Sequence, residues 1–415
     1  MQSIPRWSST LLLKGLSFQR TALVIGARQS GKTTLVRALC PIEARYTTLD
    51  DEATLSAAKA DPHFFLRQAQ ENYLIIDEIQ KAPTLIAEVK RRVDGNNQPG
   101  QFILTGSADY RKLPSGDQAD SLTGRIFVLR LRTMTQGEIL GKKPHFLEKA
   151  FNEEFPINQD IEPCSRERVY DLAIRGGYPQ TILLDCEQRA LYFQSYIQSQ
   201  LLYDLTRQWD LRRYKDLASL LQIFAVYSSK PLNIQEICRK ISGNALTVSS
   251  YLNALEAMYL IDELPAWESK DYKIGSKTPE IFLTDSALMA HLLNIHTTND
   301  LLSSQEKMAN EGVKLVETWA YTQLIPEVEL HPLWKMHHFR NKNNQEIDFL
   351  ITDEKNRKLG IEIKAAESIN TDDFKHLKWF SKQVDDFRGI VLYAGKDILS
   401  FGSRLYAVPF SALWA

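Results

Sequence analysis

The sequence predicts an α/β protein whose N-terminal third is built on a parallel sheet. Two features carry this prediction. From about residue 20 to 132 short β-rich apolar runs alternate with helical stretches, the pattern of a doubly covered sheet. A glycine-rich loop follows the first of these runs, and a later run ends in two adjacent carboxylates.

Expected strands are Thr21–Ile25, Tyr73–Ile76, Phe102–Thr105 and Ile126–Leu131, short β-rich apolar runs with the look of strands buried in a parallel sheet. After Leu23-Val24-Ile25 comes Gly26-Ala27-Arg28-Gln29-Ser30-Gly31-Lys32-Thr33, and Thr34–Leu39 has the character of a helix. Each position in this Gly-x4-Gly-Lys-Thr element has a task. Glycines let backbone amides curl around phosphates, and the helix N-terminus adds positive potential. Lys32 is placed to reach the β- and γ-phosphates of a nucleotide, and the Thr33 hydroxyl to ligate Mg²⁺.

Tyr73-Leu74-Ile75-Ile76-Asp77-Glu78 ends in the two carboxylates. Asp77 suits the Mg²⁺ shell, and Glu78, pointing the other way, suits a base that orients or deprotonates water. Phe102-Ile103-Leu104 ends in Thr105-Gly106-Ser107, which makes Ser107, with Thr105 second, the candidate sensor of a γ-phosphate. After a polar loop, Lys112–Asp120, Ser121-Leu122-Thr123-Gly124-Arg125 leads into the last strand. Arg125 there is a candidate arginine finger, acting across a subunit interface.

At 415 residues the chain is too long for one ordinary core. The expected division is residues 1–160, a helical region 161–300, and an α/β region 301–415. In the middle region Tyr192, Phe193, Tyr196, Ile197 and Leu201 recur at helical spacing. Leu232–Lys240 and Thr247–Tyr259, joined by Ser242-Gly243-Asn244 and followed by the apolar run Leu260–Leu264, suggest a winged helix at about 215–267. The last region opens with a helix, Val313–Leu324, and continues with strands at His338–Arg340, Gln345–Ile351, Leu359–Ile363 and Gly389–Tyr393.

A net charge of −1 gives no global drive toward nucleic acid, so any DNA contact must be local. Arg212-Arg213-Tyr214-Lys215, Lys335–Lys342 with His337, His338 and Arg340, and Lys375-His376 with Lys378-Trp379 are the local basic clusters. Asp262 and Glu263 at the expected wing weigh against DNA there and for a protein partner. Cys40, Cys164, Cys186 and Cys238 have no paired spacing, which fits a reducing cytoplasm, and no apolar run is long enough for a membrane.

The Gly-Ala-Arg-Gln-Ser-Gly-Lys-Thr-Thr loop (residues 26–34), Ile-Ile-Asp-Glu-Ile-Gln, Leu-Thr-Gly-Ser and Ser-Leu-Thr-Gly-Arg, in this order, resemble the bacterial and archaeal AAA+ ATPases that carry a C-terminal domain of unknown function. Gly176-Gly177-Tyr178-Pro179, Tyr203-Asp204 and Phe282–Leu288 extend the resemblance over nearly the whole chain. One departure is Leu202-Tyr203-Asp204, where an Arg-Asp pair is expected. The ATPase part is more distantly similar to origin-recognition-type ATPases. The resemblance implies a P-loop AAA+ domain using ATP and Mg²⁺; a homo-oligomer is expected if Arg125 acts in trans.

Glu346-Ile347-Asp348, Gly360-Ile361-Glu362-Ile363-Lys364 and Glu317 on the preceding helix resemble a restriction-endonuclease-type core. Side chains two apart on a strand share a face, so Glu362 and Lys364 point together. The resemblance implies that Asp348 and Glu362 bind a second Mg²⁺ or Mn²⁺, joined by Glu317, with Lys364 beside the attacking water. Two readings stay open: an ATP-driven DNA-processing enzyme, and a nucleotide-switched regulatory or scaffold protein whose last domain binds DNA or a protein without cutting. A small-molecule kinase is disfavoured because Asp77-Glu78 suits attack by water.

Overall fold

The computed structural model describes residues 4–39, 44–67, 73–109, 122, 124–155, 161–201, 214–241, 244–268 and 277–415. The loop Lys112–Asp120, Ser121 and Thr123, Leu202-Tyr203-Asp204, Arg212-Arg213 and Ser242-Gly243 lie outside the described residues. Two compact units emerge. One comprises Met1–Thr133, Leu201–Arg212 and Ser249–Leu260; the other comprises Met134–Gln200, Arg213–Val248 and Ile261–Ala415.

The first unit is built on a five-stranded sheet in the order β2-β3-β4-β1-β5, with β1 Thr21–Ile25, β2 Arg45–Thr48, β3 Leu74–Asp77, β4 Phe102–Gly106 and β5 Ile126–Arg130. All its pairings are parallel. Alternation along each strand sends successive side chains to opposite faces. Leu23, Ile25, Leu74, Ile76, Phe102 and Leu104 join one core, and Ala22, Val24, Ile75, Ile103 and Leu129 join the other. That two-sided burial is why these runs contain no polar alternation. Helices close both faces: α1 (Ser8–Phe18) supplies Leu12 and Leu16, and α2 (Lys32–Leu39) supplies Leu35 and Val36, to the second core. α3 (Glu52–Ala60), α4 (Pro62–Arg67) and α5 (Thr84–Gly95) cover the first, α5 through Leu85, Ile86, Val89 and Val93. Full burial of each such side chain is worth about 1.5–3 kcal/mol. Strand β2 has no apolar run to announce it, because it is an edge strand with exposed and half-buried residues.

The second unit contains two sheets. The helix Ile234–Ile241 precedes β7 (Ile261–Leu264), which pairs antiparallel with β8 (Glu280–Leu283); β8 also pairs with β6 (Lys230–Pro231). The larger sheet has six strands in the order β13-β14-β12-β11-β10-β9, namely β9 Lys335–Arg340, β10 Glu346–Thr352, β11 Lys358–Lys364, β12 Phe387–Tyr393, β13 Leu399–Gly402 and β14 Leu405–Pro409. It is mixed: β11, β12 and β14 run parallel, while β9, β10 and β13 pair antiparallel.

The helix Val313–Glu329 is the pivot of this unit. Trp319 is buried against Phe410 and Trp414, and Tyr321 stacks on Phe282 of β8 at 4.5 Å. The Tyr321 hydroxyl donates to Asp262 of β7 at 2.7 Å. Asp262 is therefore buried and hydrogen-bonded, as a carboxylate in a core must be.

Candidate functional site

The loop between β1 and α2 is bent by three left-handed residues, Gly26 (φ 153°), Gln29 (φ 62°) and Gly31 (φ 97°). At Gly26 a Cβ would lie 2.1 Å from the Leu131 carbonyl oxygen, so only glycine fits. Arg6 braces the loop from α1's side, donating to the carbonyls of Ser30 at 3.1 Å and Arg132 at 2.7 Å. Lys32 curls back to the loop, its Nζ donating to the carbonyls of Gly26 at 3.0 Å and Ala27 at 2.9 Å. Burial pulls its pKa below the ordinary lysine value, against the opposing pull of Glu78 and Asp77. Ser30 is fully buried and its Oγ has no partner. An orphaned hydroxyl, a buried ammonium and a turn framed by two left-handed glycines in one loop fit a phosphate group.

Asp77 ends β3, between β2 and β4. Its carboxylate accepts from the hydroxyls of Thr33 at 2.9 Å, Tyr46 at 2.6 Å and Thr105. Thr33 thus meets Asp77 directly, the pair required to hold a Mg²⁺ shell between loop and strand. Burial, then the bond to Asp77, pushes the Tyr46 hydroxyl up to about 12, so it donates at any physiological pH. Glu78 follows in a left-handed conformation (φ 59°) that turns its side chain away from Asp77. Its Oε2 accepts from Ser107 Oγ at 2.7 Å and from the Gln80 amide. Ser107 and Thr105 thus each engage one of the adjacent carboxylates, Ser107 taking Glu78 and Thr105 taking Asp77.

Arg125 lies elsewhere. It precedes β5, whose Ile126 is level with Thr21 at the start of β1, whereas the loop leaves β1 at Ile25. At about 3.3 Å per residue this sets Arg125 on the order of 15 Å along the sheet from the loop of its own chain. Its Nε donates to Asp94, which also pairs with Arg20 at 3.7 Å.

In the second unit the four predicted acid–base residues gather. The β10–β9 pairing slips between Ile347 and Leu350, which frees Asp348 from the ladder. Its Oδ2 accepts from the Ile363 N–H at 2.8 Å. Lys364 Nζ stands 3.8 Å from Glu362, whose other oxygen is buried without a partner. Burial, with Asp348's charge next, raises Glu317 and Glu362 well above the usual carboxylate range. Burial also lifts Asp348 to about 6, against the pull of Lys364. Burial pulls Lys364 down, but Glu362 and Asp348 outweigh it and hold the ammonium above its ordinary value.

A fourth acid, Glu280 of β8, joins them. It is raised to about 8 by burial and then by Asp348. Nothing in the Pro279-Glu280-Ile281 segment marks it as functional; only the pairing of β8 with its neighbours delivers it. Among the described residues, no group of three or more His, Cys, Asp or Glu side chains is placed to hold a metal ion. The basic cluster at 335–342 is also less available than its sequence suggests. His338 is 1% exposed and burial lowers it to about 4, so it is neutral and donates or accepts inside the fold, not toward phosphate.

The residues missed from the sequence are Tyr46, Gln80 and Glu280. Gln80 lies within the Ile-Ile-Asp-Glu-Ile-Gln string, but no periodicity distinguishes it. Tyr46 sits on the unannounced edge strand.

Comparison with known proteins agrees with the first unit's architecture. Residues 19–140 match an AAA domain, residues 166–299 a domain of unknown function (DUF8612), and residues 314–413 a second domain of unknown function (DUF4143). The parallel sheet and its phosphate loop lie within the residues that match the AAA domain. Uncharacterized proteins of Mycobacterium bovis and Mycobacterium tuberculosis are each 24% identical to this chain over 409 residues, 97% of this chain and 83% of theirs. Similar solved structures include a RuvB variant of Thermotoga maritima (TM-score 0.27, 17% identity, 62% of this chain and 88% of that one). Another is a STAND protein with a tetratricopeptide repeat sensor from Pyrococcus horikoshii (TM-score 0.22, 12% identity, 79% of this chain and 50% of that one). Among the described residues, no helix is long and apolar enough to cross a membrane.

Proposed function

We propose that this chain binds Mg·ATP at the ends of β1, β3 and β4, hydrolyses it, and couples nucleotide state to DNA binding or processing by its C-terminal region. The observation that carries the ATPase reading is the meeting of Thr33 with Asp77 beside a separately held Glu78. Gly26 through Thr34 form the cradle, with Lys32 taking the phosphate charge and Thr33 and Asp77 the metal. Bound Mg²⁺ would neutralise charge on the phosphates. Glu78 orients and deprotonates water, and Ser107 holds Glu78 in place. Lys32→Ala should abolish phosphate release and weaken ATP binding. Glu78→Gln should keep binding within about threefold while cutting turnover by about 10²–10⁴. Phosphate release at the wild-type rate in both purified variants would refute the assignment.

For the C-terminal centre, the unpartnered Glu362 oxygen and the buried like charges favour a divalent cation, Mg²⁺ or Mn²⁺, drawing Asp348, Glu362 and Glu317 together with Lys364 beside the phosphate. The alternative is a regulatory or scaffold ATPase whose last domain binds DNA or a protein partner. Cleavage of labelled single-stranded, duplex and branched DNA by wild type and Asp348→Ala, with Mg²⁺ or Mn²⁺ and with or without ATP, separates them. Cutting by wild type alone supports the nuclease reading, and no cutting under any condition supports the regulatory one. The buried Asp262 and the stacked Phe282 favour a structural task for the β7–β8 pair over DNA contact.

A further inference from the structure

We propose that Gln80 is a positioning residue for ATP hydrolysis, locking Glu78 to Ser107 so that the base is aimed from the strand that also carries the sensor hydroxyl. This rests on the ATPase reading above and names a residue that reading does not require. Glu78 leaves β3 in the left-handed region, and the short 3-10 turn Ile79–Lys81 brings the Gln80 side chain back over it. The Gln80 amide nitrogen donates both to Glu78 Oε2 and, at 3.0 Å, to Ser107 Oγ. Ser107 in turn donates to the same Oε2 at 2.7 Å. The Glu78 N–H donates to Thr105 Oγ1 at 3.1 Å, so backbone and carboxylate are both tied to β4.

The closed triangle is buried: Glu78 is 9%, Gln80 8% and Ser107 5% exposed. Swapping the amide's two ends would set its oxygen against the carboxylate, so the network fixes which end faces Glu78. The consequence is that Gln80 Oε1 points away, buried and without a partner. Leaving a buried hydrogen-bonding group unmade is costly, so a residue there only to fill space would not be an amide. Two donors on one carboxylate oxygen restrict its rotation and leave the other oxygen as the acceptor for water.

The test is steady-state ATP hydrolysis by wild type, Glu78→Gln, Gln80→Met, Ser107→Ala and the Gln80→Met/Ser107→Ala double variant, with ATP binding measured directly and melting temperatures recorded. Methionine keeps the volume of Gln80 and removes its donors. Expected is a fall in kcat of about 10–100-fold for Gln80→Met with KM and ATP affinity within about threefold. Melting should be nearly unchanged, and the double variant should be little worse than the poorer single one, because both singles break one triangle. A kcat within twofold of wild type, a change confined to KM, or multiplicative losses in the double variant would overturn the proposal while leaving the ATPase reading intact. Wild-type turnover by Glu78→Gln would remove the base itself, and with it both claims.

Discussion

Asp77 is the residue on which the proposed nucleotide site turns, and its surroundings explain how a carboxylate at a strand end is held ready. Three hydroxyls donate to it, from the phosphate loop, from β2 and from β4. Hydrogen bonds to a charged acceptor are worth about 1.5–3 kcal/mol each. Arg37 lies over the Tyr46 ring at 3.7 Å and fixes the phenol's position. Tyr46→Phe keeps that stacking and removes only the hydroxyl. It should raise the Mg²⁺ concentration for half-maximal ATPase activity by about tenfold with melting little changed. An unmoved Mg²⁺ titration would assign Tyr46 to packing alone.

At the scale of elements, the helix Val313–Glu329 shows how one segment serves both core and chemistry. Trp319 fills the core on one side while Glu317 enters the acidic centre. Near its end Glu327 is 2% exposed and accepts from the Leu147 N–H at 2.9 Å, capping the helix Phe146–Asn152. Burial raises Glu327 from 4.5 to about 8. The folded form therefore binds a proton more tightly than the unfolded one, so its stabilising contribution is full below about 4.5 and is lost as pH rises through about 8. Glu327→Gln should flatten the melting temperature between pH 5 and pH 8 (about 1.4 kcal/mol per unit of displacement removed) and be the more stable form above about pH 8. A wild-type and variant difference that does not change with pH would refute the linkage. Trp319→Ala, which empties a fully buried site against Phe410 and Trp414, should cost about 3–5 kcal/mol in denaturant unfolding.

At the scale of the whole molecule, the proposed role of Arg125 bears on whether the protein works alone. It stands at the far end of the sheet from its own phosphate loop, so a catalytic role would require a second copy to present it. Mixing Arg125→Ala with Glu78→Gln subunits tests this: one intact shared site should restore measurable ATPase activity that neither variant has alone. No recovery would leave Arg125 as a partner of Asp94 at the sheet edge.

What the sequence determined by itself was everything that local order encodes. The phosphate loop is contiguous, β1, β3 and β4 are apolar runs because both sheet faces are covered, and β5 carries the apolar run Ile126–Leu129 although it is an edge strand, so their positions were readable to within a residue or two. The order Asp348, Glu362, Lys364 on neighbouring strands was readable too. Tertiary structure decided which distant groups meet. Tyr46 reaches Asp77 across 31 positions and Thr105 across 28, contacts created by the strand order β2-β3-β4-β1-β5. The return of Gln80 onto Glu78 depends on one left-handed residue, and the arrival of Glu280 beside Asp348 on the placement of β8. Hydrophobic periodicity records which residues are buried, but not which buried polar groups share a hydrogen bond, and that pairing is what sets the chemistry.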